Sequence, residues 1–348
     1  MAKRRGVGPA PATTPALAPA PAPVSVRRLA VDENSAGQRL DNFLVRELKG
    51  VPKTHVYRVI RSGEVRVNGG RAQADTRLAI GDEVRVPPVR ISASVASAAQ
   101  PAREFPVLFE DEHLIALDKP AGVAVHGGSG VSSGVIEQLR RARPQARFLE
   151  LVHRLDRETS GVLLVAKKRS ALTALQEQFR ARGAEHAVGK TYAALVAGEW
   201  PQRLKVIDVP LHKYLTAEGE RRVRTTSPAD EAGRRSITLV QVAQRLAGFT
   251  LLAATIRTGR THQIRVHLAG AGHAIAGDDK YGDFELNRRL AREGVKQGNG
   301  PPVRLARMFL HAQHLRIAHP ATGEVLEFQS PLPEALARVV GALGPARA

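Results

Sequence analysis

His153-Arg154-Leu155-Asp156-Arg157-Glu158-Thr159-Ser160-Gly161 reads as a charged loop, and the apolar runs 148–152 and 162–166 stand on either side of it. Two buried strands that present a polar loop between them are how a rigid scaffold offers a reactive group. The loop sets one carboxyl, Asp156, between Arg154 and Arg157. An Asp with a reference pKa of about 3.9 is ionised at neutral pH unless burial raises it, and neighbouring guanidinium groups keep it so. With no metal-ligand cluster close in sequence, it suits a nucleophile or a base better than a metal site. An Asp that caps a turn or pairs with Arg154 or Arg157 has the same surroundings, and the residues alone leave both readings open.

Outward from this loop the chain reads as a mixture of strands and helices. A strand is expected over 113–117, another over 162–167, a helix over 170–182 with Leu172, Leu175 and Phe179 on one face, and strands over 191–197 and 249–256. The absence of regular βαβ alternation points to an α+β fold around a mixed or antiparallel sheet. Toward the N-terminus, 91–102 is Ala/Ser-rich and reads as a linker, and 1–25 is an Ala/Pro-rich tail that cannot build a core. These divide the chain into a small domain over 26–90 and a large one over 103–340. In the small domain Leu40, Phe43, Leu44 and Leu48 have helical spacing, with Gly50 and Pro52 ending the helix. A second helix carries Val56, Val59 and Ile60 on one face and His55, Arg58 and Arg61 on another. Asn68-Gly69 then marks a hairpin.

Composition narrows the partners. Lys plus Arg number 52 against 33 Asp plus Glu, a formal charge of +19, which points to a polyanion, with nucleic acid ahead of an anionic membrane. There is no Cys, so disulfides and thiolate metal sites are excluded. No apolar run approaches the roughly 18 residues of a membrane span, and the basic start lacks an apolar signal segment, so a cytoplasmic protein is expected.

Three more stretches can carry chemistry. Lys190-Thr191-Tyr192 opens a strand, where a Tyr is ordinarily core but in an RNA enzyme can stack on an unstacked base. Arg257-Thr258-Gly259-Arg260-Thr261-His262-Gln263-Ile264-Arg265-Val266-His267 runs through a tight turn into a helix, so its polar groups gather at a helix N-terminus suited to phosphate. His262 and His267 are five apart and share no helical face, which argues against a metal; Arg265 shares a face with His262 and can point into a cleft. Gly277-Asp278-Asp279-Lys280-Tyr281-Gly282 reads as a capped surface loop rather than a metal site.

Taken in order, His153-Arg154-Leu155-Asp156-x-x-Thr159-Ser160-Gly161, Lys190-x-Tyr192 and the Arg257–His267 stretch resemble the RluA-type pseudouridine synthases. Gln38-Arg39-Leu40-Asp41 and Gly63-Glu64-Val65-Arg66-Val67-Asn68-Gly69 resemble the S4 RNA-binding domain. Together the resemblances cover about 26–340. They imply the pseudouridine-synthase fold, a central mixed sheet with flanking helices, behind an S4-like domain that binds structured RNA. They also imply the conversion of uridine to pseudouridine in 23S ribosomal RNA, with no cofactor and no metal. On the same basis Asp156 is the essential carboxylate and Tyr192 stacks on the flipped uracil. Arg265 pairs with the Asp, and Arg154 helps displace the base. Lys190, Arg257, Arg260 and His262 line the cleft or meet phosphates, and His55, Arg58 and Arg61 contact RNA. A monomer is expected. Two departures stand out: Asp118 replaces the more usual Asn before Lys119-Pro120, and 184–189 looks like a short insertion. Two other functions stay in view. One is an RNA-binding factor that keeps the fold without catalysis. The other is an Asp-based hydrolase, which needs a second carboxylate, and Glu158 is the only near candidate.

Overall fold

The structure is a computed structural model that describes residues 25–48, 51–89, 102–127, 133–181, 188–217, 219–296 and 300–346. Nearly all of the Ala/Pro tail and of the 91–102 linker, Gly50, and most of the 184–189 insertion lie outside the described residues. The chain forms two compact units, 1–95 and 96–348.

In the first unit, strand β1 (Arg27–Ala30) precedes helices α1 (Leu40–Glu47) and α2 (Lys53–Arg61), then the short strands β2 (Arg66–Val67), β3 (Gly70–Arg71) and β4 (Glu83–Val86). The sheet order is β1-β4-β2-β3. The helical spacing of Leu40, Phe43 and Leu44 with Val56, Val59 and Ile60 puts all six in one core with Val65, Val84 and Val86. Asn68 and Gly69 both take positive φ, 51° and 78°, the pair of left-handed residues that an Asn-Gly hairpin turn requires.

The second unit holds one ten-stranded sheet flanked by helices, an α+β arrangement. Its first elements are β5 (Val107–Glu110), β6 (Leu114–Lys119), α3 (Val135–Ala142), β7 (Glu150–Leu151), β8 (Ser160–Ala166), α4 (Arg169–Arg180) and β9 (Gly189–Ala197). After β10 (Val206–Asp208), a separate hairpin is made by β11 (Leu211–Leu215) and β12 (Arg221–Thr225). Then come β13 (Ile237–Leu246), β14 (Phe249–Ile256), α5 (Gln263–Gly270), α6 (Phe284–Arg292), β15 (Leu310–Ala318), β16 (Val325–Gln329) and α7 (Glu334–Leu343). The main path runs β10-β13-β14-β9-β15-β8-β6-β5, with β16 on β15 and β7 on β8. β15 lies parallel to β8, and the other described pairings in the sheet are antiparallel. The expected domain end at 340 falls inside α7, whose Leu336, Val339 and Leu343 belong to the core; the helix carries the unit beyond that boundary.

β6 and β8 are apolar on both faces because both are covered. Ile115, Leu117, Leu163 and Val165 face a core shared with α3, α5 and α7, while Leu114, Ala116, Val162 and Leu164 face α4. At Gly161 a side chain would come within 2.2 Å of the Ala312 carbonyl oxygen, and φ is 109°. Glycine is therefore what lets β8 pass β15 directly after the Asp156 loop.

Candidate active site

The Asp156 loop, which joins β7 to β8, is fastened from below. Leu155 is buried in the core. Lys119, at the end of β6, is wholly buried, and its ammonium donates to the carbonyls of Pro120, Val123 and Arg157 at 2.8, 2.8 and 3.1 Å. Three carbonyls match the three protons of the charged form, although burial pushes Lys119 down to about 7. From the other side Arg307 donates to the Glu158 carbonyl at 3.2 Å and to the Ser160 hydroxyl at 2.9 Å. Ser160 also meets His311 Nδ1 at 2.9 Å. A loop held at both ends and beneath keeps its carboxylate in one place.

Asp156 opens into a cleft of about 460 Å³. Every residue of this unit that the sequence reading singled out as catalytic or substrate-binding lines it: Asp156, Tyr192, Arg265 and Arg154, together with Arg257, Arg260, His262 and Lys190. His55, Arg58 and Arg61 belong to the other unit, on α2. Glu158 does not line the cleft and pairs with Arg157 at 3.5 Å, so no second carboxylate faces Asp156 there.

Around Asp156, Arg265 Nη1 is 3.6 Å from one oxygen and His262 Nε2 is 3.9 Å from the other. Tyr192, on β9, is buried; burial and then the Asp156 charge push its hydroxyl above the ordinary tyrosine value, so the phenol that lines the cleft is neutral. The stronger partner of Arg265 is Asp278, which takes two bonds at 2.7 and 2.6 Å, while Asp279 takes a third at 3.1 Å. Burial works to lower the Arg265 pKa, but its bonds to Asp278 and the nearby carboxylates outweigh this and raise it. The same bonds overcome burial at Asp278 and hold its carboxyl below the usual range. The expectation of a surface loop at 277–282 is thus corrected: Asp278 is buried and anchors the arginine that faces Asp156. It is buried because Gly277, at φ 78°, passes against the Arg307 carbonyl where a side chain would come within 2.1 Å.

Lys190 sits 4.1 Å from the centre of the Phe179 ring, and burial pushes it down to about 8. The same ring stacks at 4.9 Å on His153, which burial and then the Lys190 charge push down to about 3. The turn before α5 is closed on itself: Gln263 accepts from the Arg260 N–H at 3.1 Å and from Thr258 at 2.7 Å. His267 is a satisfied core residue, bonded to Thr238 and to the Val209 carbonyl at 2.9 Å each. Among the described residues no group of three or more His, Asp or Glu side chains converges as a metal site, and no helix is long and apolar enough to cross a membrane. The hairpin of β11 and β12 went unread from sequence. It exposes Lys213, Tyr214, Arg221 and Arg224, and its Val223 packs with Val266 of α5 and Tyr281.

A mixed sheet beside a cleft that gathers one carboxylate, an arginine and a tyrosine is the arrangement the resemblance implied, and comparison with known proteins gives the class. The family model described as RNA pseudouridylate synthase matches residues 113–270, and the S4 domain model matches 38–84. The chain is 50% identical over 329 residues to the ribosomal large subunit pseudouridine synthase C of Escherichia coli (strain K12), covering 93% of this chain and 98% of that protein. It is 49% identical over 325 residues to the protein of the same name from Salmonella typhimurium, covering 92% and 97%. Among solved structures, Human RNA Pseudouridylate Synthase Domain Containing 4 matches with a TM-score of 0.53 at 27% identity, over 68% of this chain and 92% of that one. Human RNA Pseudouridylate Synthase Domain Containing 1 matches with 0.53 at 25%, over 69% and 89%. The chain belongs to the RNA pseudouridylate synthase family, with an S4 domain ahead of the catalytic fold. It is an RNA pseudouridine synthase, an isomerase, as the resemblance drawn from the Asp156, Tyr192 and Arg257–His267 stretches implied.

Proposed function

We propose that this enzyme converts uridines of 23S ribosomal RNA to pseudouridine in the cytoplasm, with Asp156 as the essential carboxylate and the 26–90 domain as an RNA-binding arm. The ribosomal substrate is taken from the names of its close relatives. The observation that carries the chemical reading is the grouping of Asp156, Arg265, His262 and Tyr192 in one cleft.

The isomerisation breaks the bond from ribose C1′ to uracil N1, turns the base, and joins C5 to C1′. C5 gives up its proton and N1 gains one, so the product is an isomer and neither metal nor cofactor enters the balance. Asp156, as an anion, can add to the sugar or the base or remove a ribose proton; each route needs a carboxylate held in place and kept ionised. Arg265 supplies that charge, and its bonds to Asp278 keep it from swinging away. Tyr192 offers a buried ring against which the freed uracil can turn. Arg154 is exposed at the cleft and suits the displacement of the target base, whose extrusion costs a few kcal/mol that new contacts must offset. Lys190, Arg257 and Arg260 suit the phosphates of the flanking nucleotides.

The test is pseudouridine mapping of 23S ribosomal RNA from cells lacking the protein, complemented with the wild type or with Asp156→Asn. Sites that appear only with the wild type are expected. An unchanged map on deletion removes the substrate assignment, and full complementation by Asp156→Asn removes the role of Asp156.

A further inference from the structure

His262 is held in an unusual backbone state. Directly before α5 it takes φ 54° and ψ 20°. Apart from glycines, the only other described residue with positive φ is Asn68, in a turn that calls for it. A non-glycine residue in this region is strained, and strain that persists at a cleft requires contacts that over-determine it. One of those contacts is made by Tyr281. Its hydroxyl lies 2.8 Å from His262 Nδ1, and the two rings meet edge to face at 5.5 Å. The tyrosine is itself pinned. The backbone N–H of Val223, on the hairpin strand β12, donates to its oxygen at 3.1 Å. Asp278 accepts from its backbone N–H at 3.1 Å, and the Arg265 guanidinium lies 5.1 Å from its ring centre.

The protons in this chain of bonds can be assigned. The Tyr281 oxygen already accepts from Val223, and among the described residues the acceptor that its own proton meets is His262 Nδ1. If Nδ1 carried the imidazole proton instead, the phenol proton would lose its acceptor among the described residues and a bare Nε2 lone pair would face the Asp156 carboxylate. Both are unfavourable, and both are relieved when Tyr281 donates to Nδ1 and Nε2 carries the hydrogen.

We propose that Tyr281 is a positioning residue for the isomerisation: its hydroxyl fixes His262 as the neutral Nε2–H tautomer and aims that N–H at Asp156. One carboxylate oxygen then faces the His262 N–H and the other faces Arg265, so the carboxylate is steered from both sides. At 3.9 Å the histidine is not hydrogen-bonded to Asp156 in the free protein, and such contacts tighten when substrate fills a site. The groups that face His262 are Asp156 from the loop before β8, Arg265 from its own helix, and Asp278, Lys280 and Tyr281 from the 277–282 loop. Burial lowers its pKa most; Asp156 opposes this, Arg265 and Lys280 reinforce it, Asp278 opposes again, and the net direction is downward. That keeps the ring neutral, as the relay needs. The inference rests on Asp156 being the reacting carboxylate, but its first test does not.

The first test is the ring-nitrogen spectrum of the full-length protein labelled with 15N-histidine, with His262 assigned by its loss in His262→Asn. At neutral pH the wild type should show His262 protonated at Nε2 alone. A proton on Nδ1 overturns the proposal without any variant having to fold. Tyr281→Phe, which keeps the ring and its contact with Arg265, should show a mixture of tautomers and a raised His262 pKa, because the donor that favoured the neutral form is gone. Its single-turnover isomerisation should fall about tenfold, with the acid limb of the pH profile moved to higher pH and RNA affinity unchanged. In the His262→Asn background the same substitution should add nothing. An unmoved tautomer and pH limb in Tyr281→Phe overturn the relay while leaving the reaction as proposed. An active Asp156→Asn together with the Nε2–H tautomer overturns the reading of the reaction and keeps the tautomer assignment.

Discussion

The cations on α2 of the N-terminal unit and those packed behind the cleft of the catalytic unit lie in opposite surroundings. On α2, Arg58 and Arg61 are exposed, and Arg58 has His55 as a neighbour at 3.3 Å. In the catalytic unit Arg265 is buried against two carboxylates, Lys119 is buried against three carbonyls, and Lys190 lies over an aromatic ring. Exposed charges act over a distance but are screened by salt, so they suit attraction to a phosphate backbone. Buried charges lose their hydration and keep it lost only where the protein replaces it, so they are fixed in direction and suit orientation at a reacting centre. Exposed cations, on α2 as at Arg154, Arg257 and Arg260 of the cleft, suit affinity, and the buried ones behind the cleft suit geometry.

On that division, the largest effect belongs to the carboxylate that the buried cations surround. Asp156→Asn should lower single-turnover isomerisation by about 10³-fold or more while RNA affinity stays within about threefold of the wild type. Substantial residual rate would mean the cleft's geometry serves something else. Next comes Asp278→Asn, which leaves the buried Arg265 without its main anionic partner. Breaking a buried pair in this way costs about 3 kcal/mol of stability. The rate should also fall, by about 10²-fold, as the guanidinium loses its aim at Asp156. Denaturant melts and rates on the same preparation separate the two effects. There is a pH signature as well. The folded-state pKa of Asp278 is lowered, so the stability it contributes is present above the ordinary Asp value and is lost as pH falls through the lower folded value. The variant should lack that acid-side loss. A variant with wild-type stability and rate would show that Arg265 needs no anchor.

The same division explains what could be read in advance. The Asp156 loop was legible because Phe148, Leu149 and Val152 before it and all of β8 after it are buried, so the polar interruption between them stands out. Tyr192 and the Arg257–His267 turn were legible through their order along the chain. Asp278 was not. Gly-Asp-Asp-Lys-Tyr-Gly has the composition of a solvated turn, and what buries it is the Arg307 carbonyl, about thirty residues away in sequence. Lys119 was opaque for the same reason, since its three acceptors include Arg157 from another segment. The hairpin of β11 and β12 escaped notice because it has almost no apolar face: Leu211 and Val223 are its buried pair, packed with Val266. The domain end at 340 was set too early, although Leu336, Val339 and Leu343 have the three- and four-residue spacing of a helix that packs on a core. Exposed cations were easy to find, while the buried ones that set geometry depend on contacts that composition cannot show.

The comparison sharpens at smaller effects. Replacing Arg58 and Arg61 together with Ala should weaken RNA binding about tenfold at low salt. The plot of log affinity against log salt should become shallower by one to two units, because each lost phosphate contact removes about one. The rate at saturating RNA should not change, since neither residue belongs to the catalytic unit. Titrations at several salt concentrations measure the slope directly, and an unchanged slope would take the RNA contact away from α2.

Lys190 tests the boundary between the two uses of charge, because it is a half-buried cation that faces a cleft and not a carboxylate. Burial pushes it down to about 8, so part of its charge is already lost at mildly alkaline pH. If the cation meets a phosphate, binding needs the protonated form. RNA affinity should then hold below about pH 7 and decline as pH rises through 8, by about threefold at pH 9. The effect stays small because a bound phosphate raises the lysine's pKa and many other contacts remain. Lys190→Gln should bind slightly less tightly at pH 7 and lose the alkaline decline, and filter-binding between pH 6.5 and 9 at fixed ionic strength resolves both. If the decline persists in the variant, another group titrates there, and Lys190 serves the cleft through its packing on Phe179, as the buried cations serve through their contacts.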